Sequence, residues 1–278
     1  MYDFIIYLIE PFYLPFIQRA LLLGITIGIV CAVLSCYLVL KGWALIGDAL
    51  SHSLLPGVLL SHMFGLSIFI GALCAAILST TLMGVIKRKT KLKEDTIVGI
   101  VFSVMFAMGL FLFSVIDTEL HITHLLFGNI LGIDRNSLLT HLIILVCILA
   151  IICLKARDLM LFCFDEKQLT MQGMSIKFHH YLLLFLLSVV LVVSIQAIGV
   201  LFVIGLLIIP GMFGYSMTKQ FHFMMMYASF FSALTIFIGI LVSFYLDVAS
   251  APLIIVIQTL FLLLTFALTS RITKNKQI

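Results

Sequence analysis

Asp48 and His52 lie four residues apart inside an otherwise apolar run, residues 44–64. Four residues is about one helical turn, so the two side chains project from the same face. A carboxylate inside a membrane segment costs about 2.5–3.5 kcal/mol, so its presence calls for a partner or a task. Carboxylate with imidazole is a ligand set suited to Mn²⁺, Fe²⁺ and Zn²⁺. Ser51 and Ser53 flank the imidazole and offer hydrogen bonds to orient it. The same pair would equally serve as a packing salt bridge between helices, and the residues leave both readings open. Pro56–Gly57 follows, a pairing that frees a backbone carbonyl and suits a segment lining a cavity. Pro210–Gly211, within a glycine-dotted run from 199 to 214, reads as a site of close helix packing.

Other polar residues carry weaker chemistry. Glu119, His121 and His124 could form an outer entry site for a cation, or a solvated loop. Asp247 opens the turn DVASAP and reads first as a helix cap, then as an entrance charge. The six cysteines fall in or beside apolar stretches without a C-x-x-C, as buried thiols do. There is no G-x-x-x-x-G-K-[ST], no H-E-x-x-H and no G-x-S-x-G, so neither a P-loop nor a familiar hydrolase set is present.

The elements that must hold these residues follow from composition. The 278-residue chain is 63% hydrophobic and 10% charged, against about 25% charged for a soluble domain. Lipid is the natural solvent for such a chain. Apolar windows fall at about 16–40, 67–86, 95–116, 136–154, 223–246 and 252–270. The 44–64 run adds one span, and residues 181–217 break around Gln196–Gly199 into two. The expectation is an all-α polytopic bundle of eight to nine transmembrane helices in one domain, 1–278. Residues 1–15 read as an interfacial lead-in.

All 16 basic residues except Arg19 and Arg135 fall in every second loop. By the positive-inside rule, the N-terminus is outside and the C-terminus cytoplasmic. The outer loop 117–135 predicts a short helix with a turn. The inner segment 155–180 is amphipathic, suited to lying on the membrane or docking a protein. A net charge of +4 gives no case for nucleic acid.

Several blocks occur in one order: FIQRALLLG, KGWALIGDALSHSLLPGVLL (41–60), KEDTIVGIVFS (93–103), LLFGNILG (125–132), FDEKQLTMQGM (164–174) and GVLFVIGLLIIPG (199–211). Together, from about Pro11 to Leu268, they resemble the integral membrane permeases of ABC importers for zinc, manganese and iron. The resemblance implies a type II importer architecture with no permanently bound cofactor. It implies a second permease chain, a cytosolic ABC ATPase that alone binds ATP, and an extracytoplasmic metal-binding protein. Asp48 and His52 would contact the ion in transit. The 155–180 segment would couple to the ATPase through Phe164, Asp165 and Glu166, with Gly173 as its turn. CYLVLKGWALIGDALSHS and DVASAP look most like the manganese/iron branch, with zinc as the alternative ion. A secondary cation carrier or channel is the alternative from a different class. Localisation would be the cytoplasmic (inner) membrane, and the chain itself would not be an enzyme.

Overall fold

A computed structural model describes residues 10–115 and 132–275, and all regular structure among them is helical. Helix α1, Pro15–Lys41, opens on a proline, whose missing N–H would have had no intrahelical partner there. It ends at Gly42, a left-handed residue whose N–H bonds back to Val39. Helices α2 (Ala44–Ser53) and α3 (Leu55–Met63) form one interrupted crossing with Leu54 at the break. Pro56 sits in the first turn of α3, where it cannot continue the hydrogen-bond ladder of α2. Next come α4 (Ile68–Lys89), capped by the Ser67 hydroxyl, and α5 (Glu94–Val115).

Beyond the loop, α6 (Arg135–Leu154) is capped by Asp134, which accepts from the Asn136 and Ser137 amides. Two short helices follow, α7 (Ala156–Phe164) and α8 (Glu166–Met171). The chain closes with α9 (Ile176–Ile198), α10 (Val200–Met217), α11 (Phe221–Leu246) and α12 (Ser250–Asn275). The 181–217 stretch divides at Gly199, inside the predicted window. Among the described residues eight helical segments, α2 and α3 taken together, are long and apolar enough to cross a membrane. A shorter apolar helix, Phe202–Met217, lies within α10.

In lipid, helices gain little by hiding apolar surface from one another, so close packing and internal hydrogen bonds must hold the bundle. The α1–α11 pair shows both. Tyr37 meets Phe221 with ring centroids 5.0 Å apart at one end, and Phe12, just ahead of α1, meets Phe237 at the other. Between them the Ser232 hydroxyl donates to the Gly28 carbonyl at 3.0 Å. These contacts make the two helices antiparallel. Ser35 of α1 serves the proline break in α10: its hydroxyl accepts from the Gly211 amide at 2.9 Å and donates to the Ile208 carbonyl at 3.3 Å. Pro210–Gly211 is thus a packing site. On the α11–α12 interface, the Gln258 amide donates to the Thr235 hydroxyl at 2.9 Å.

Candidate functional site on the interrupted helix

Helix α2 presents Asp48 and His52 on one face, with His52 Nε2 3.5 Å from Asp48 Oδ1. That separation suits two ligands flanking a third body better than a short hydrogen bond. Both side chains are accessible, 46% for Asp48 and 28% for His52. His52 is fixed from behind by α5: its ring meets the edges of Phe102 and Phe106 at 5.7 and 5.5 Å, and those two rings stack on each other. The aromatic rings cover one side of the imidazole, and its Nε2 faces Asp48.

The neighbouring serines play a different part from the expected one. Ser51 donates to the Gly47 carbonyl and Ser53 to the Ala49 carbonyl, each four residues back in the same helix. A short hydroxyl inside a helix finds its own backbone first, and in an apolar segment that satisfies it. Neither orients His52.

Helix α3 is seated on α4 by backbone proximity. A Cβ on Gly57 would overlap the Gly71 carbonyl oxygen, and one on Gly71 would overlap that of Gly57. Only glycine permits this approach. An apolar crevice of about 250 Å³ lies beside it between α3, α4 and α5, lined by Pro56, Phe64, Ile70, Cys74 and Met108 among others. It holds neither Asp48 nor His52 and has no acid or imidazole in its walls, so it has no ligand set for a cation.

Other candidates are scattered. Glu119, His121 and His124 lie outside the described residues. Asp247 is the C-cap of α11 in the left-handed conformation, φ 51°, with its amide bonded to the Ser243 carbonyl. It ends the preceding helix, where a short polar side chain tolerates left-handed backbone. Among the described residues, no three His, Cys, Asp or Glu side chains converge to hold a metal, so Asp48 and His52 supply at most two ligands.

The 155–180 segment is built around a corner. Asp165 caps α8 by accepting from the amides of Lys167 at 2.8 Å and Gln168 at 3.2 Å. Gly173, φ 74°, closes α8: its amide bonds to Thr170 and that of Met174 to Leu169, the paired pattern of a left-handed helix stop. Leu159, Phe162 and Leu169 are buried, while Phe164 and Met171 stand 62% and 87% exposed. Ile176 through His180 already belong to α9. Lys41, at the end of α1, donates to Glu166 and to the Phe162 carbonyl.

The profile of the ABC 3 transport family matches residues 13–269. The chain belongs to the ABC 3 transport family. It is 47% identical to the chelated iron transport system membrane protein YfeD of Yersinia pestis, over 91% of this chain and 85% of that one. It is 39% identical to the manganese transport system membrane protein MntB of Synechocystis, over 91% and 83%. A chain in the structure of PsaBC from Streptococcus pneumoniae in complex with a Fab superposes with TM-score 0.84 at 33% identity, covering 94% of this chain and 95% of that one. An inward-facing putative metal-chelate type ABC transporter shares the fold, with TM-score 0.71 at 19% identity, over 92% and 85%.

Membership makes this ABC-3 chain a multi-pass membrane permease of an ABC transport system, in agreement with its helical architecture. What sequence reasoning missed in this permease are residues that act at a distance. Phe102 and Phe106 carry only the generic signal of two aromatics four apart. Lys41, Trp43 and Glu94 lie inside the blocks quoted above, yet nothing in their spacing announces that they meet.

Proposed function

We propose that this chain is the permease subunit of an ABC importer that moves divalent transition-metal ions, manganese or iron, across the cytoplasmic membrane. Asp48 and His52 contact the ion in transit. The carrying observation is a carboxylate and an imidazole 3.5 Å apart on an uncovered face of an interrupted crossing helix. Beside them Leu45 is also exposed. A bare carboxylate facing lipid is costly, so this face belongs against a water-filled path or a second permease chain. Remaining ligands come from that chain, from water or from the binding protein, because two side chains do not complete a coordination shell. The names of the relatives, iron and manganese transport membrane proteins, support the choice of ion.

Energy comes from a separate cytosolic ABC ATPase, and the chain itself carries out no hydrolysis. An extracytoplasmic metal-binding protein delivers the ion to the outer face, past Glu119, His121, His124 and Asp247. The N-terminus lies outside and the C-terminus inside. The exposed side of the α7–α8 corner, with Phe164, Asp165, Glu166 and the Gly173 turn, meets the ATPase. An exposed phenylalanine beside a capped corner offers an anchor for a pocket on such a partner.

Metal uptake by the intact complex tests the transit role. Asp48→Asn and His52→Ala should each lower uptake about tenfold or more, since even supporting groups around a metal are worth 10–100-fold. Near-normal uptake at normal expression would remove the role. Competition among Mn²⁺, Fe²⁺ and Zn²⁺ in the same assay ranks the ions. Substituting Phe164 and Asp165 should weaken co-purification of the ATPase, and unchanged recovery would exclude the docking role.

A further inference from the structure

The turn Lys41-Gly42-Trp43 joins α1 to α2, and its two large side chains reach in different directions. Lys41 is 11% exposed; its amine donates to the Phe162 carbonyl at 3.2 Å and to the Glu166 carboxylate, and lies 4.2 Å from the centroid of the Phe162 ring. Trp43 is almost fully buried, and its indole N–H donates to the Glu94 carboxylate, which also accepts from Lys87 of α4. The Trp43 ring meets Phe162 edge-on at 6.2 Å and His180 at 5.2 Å. Lys41 and Trp43 therefore contact the α7–α8 corner, α5 and the start of α9, and Glu94 ties α4 to the same cluster.

We infer that Lys41 and Trp43 are positioning residues that carry movement of the α7–α8 corner to the helix bearing Asp48 and His52. This rests on the transport reading above for its purpose, though not for its geometry. A mostly buried ammonium cannot leave its carboxylate and carbonyl without stranding its charge, so Lys41 follows Phe162 and Glu166 when they move. Trp43 immediately precedes α2, and Asp48 lies five residues on, about 7.5 Å along the helix. Glu94 begins α5, whose Phe102 and Phe106 back His52. Through Lys41 and Trp43 the corner is thus connected to both helices that frame the Asp48–His52 pair, at the end where they start. Phe164 and Met171 project from the other side of the corner and leave it free to take a push.

Two measurements test this link. In the first, the complex with its ATPase and binding protein is placed in liposomes, and metal uptake and ATP hydrolysis are read from the same vesicles. Lys41→Met and Trp43→Phe should lower metal moved per ATP about tenfold, while hydrolysis and ATPase co-purification stay within about twofold. Lys41→Arg, which keeps the cation and its donors, should recover at least half of the wild-type ratio. A wild-type ratio in both disruptive variants would overturn the inference. So would parallel loss of uptake, hydrolysis and co-purification, which marks a merely structural clamp.

The second measurement needs no transport. The chain has a single tryptophan, so the permease labelled with 5-fluorotryptophan gives one ¹⁹F resonance, that of Trp43. Glu166→Gln in the isolated permease should displace it, and an unmoved resonance would overturn the link. If the resonance responds while the wild-type complex moves no metal, the transport reading falls and the mechanical connection stands.

Discussion

The two ends of the crossing formed by α2 and α3 are secured by opposite means. At the Lys41 end, charge and hydrogen bonding join separate elements: Lys41 to Glu166, Lys87 to Glu94, and Trp43 to Glu94. At the far end, α3 lies against α4 through Gly57 and Gly71, with Ser61 packed beside them. There the Ser61 hydroxyl donates within its own helix, to Val58. At the first end the outer side chains, Glu166 at 40% and Lys87 at 38%, stand part-exposed and can exchange contacts with solvent, while buried Lys41 keeps its partners. Inside lipid that exchange is closed, and contact between small residues is the available adhesive. The difference separates a region suited to movement from one suited to holding still, with Asp48 and His52 between them.

The largest effect should come from breaking the quiet end. Gly57→Leu forces α3 away from α4 and should destabilise the detergent-solubilised protein by about 3 kcal/mol, the upper part of the overpacking range. The thermal midpoint should fall equally at low and high salt. A midpoint within a degree of wild type would show that the two helices are not held by this contact.

A smaller loss is expected at the polar end. Trp43→Phe keeps most of the ring but withdraws one donor from the half-buried Glu94, which retains Lys87. About 1–2 kcal/mol follows from an acceptor left partly unmet. Lys87→Met, which withdraws the charge partner of Glu94 instead, should cause a loss that, unlike that of Gly57→Leu, shrinks at 1 M salt, where the screening length is about 3 Å. Identical salt dependence in both variants would erase the contrast between the ends.

Smaller again is Gly173→Ala. Space around Gly173 is open, so its cost is conformational, about 1 kcal/mol for an L-residue in the left-handed region. Gly173→Asn should cost less, and equal destabilisation by both would point to a steric cause.

The last prediction leaves stability untouched. Burial in α7 pushes the Cys163 thiol up to about 12 from an ordinary 9.0, with nearby Lys41 opposing that rise. At pH 8 its thiolate population is then about a thousandfold below that of an ordinary thiol. A soluble maleimide at pH 8 should leave Cys163 unlabelled both in the wild type and after Lys41→Met, which removes the cation that opposes the rise. Rapid labelling of the wild type would mean that the corner is already loose.

Much of this was legible in the sequence because it is local. Apolar runs of membrane length gave the crossings, the helix-breaking residues near Gly199 marked the division, and spacing by four paired Asp48 with His52. The family blocks placed the chain among ABC permeases. What escaped depends on contacts across the chain. Lys41 meets Glu166 across 125 residues, and Ser35 meets the Gly211 amide across 176; neither separation leaves a period to read. Ser51 and Ser53 flank His52 in sequence, yet that spacing turns each toward a different face of the helix, where its own backbone is the nearest partner. Asp247 was expected as a cap, but which helix it ends became visible only from its backbone angle. The outer candidates Glu119, His121 and His124 stay expectations of the sequence.

One consequence of the break at Leu54 concerns leverage. Under the link inferred above, with α3 seated against α4, α2 would act as a short arm turning about Leu54 and driven at Trp43. At about 1.5 Å per residue, Asp48 sits about 9 Å from the fulcrum and His52 about 3 Å. A swing of about 10° would carry Asp48 through about 1.6 Å but His52 through only about 0.5 Å. One arm would therefore give its two side chains unequal strokes, the carboxylate travelling while the imidazole stays close to Phe102 and Phe106.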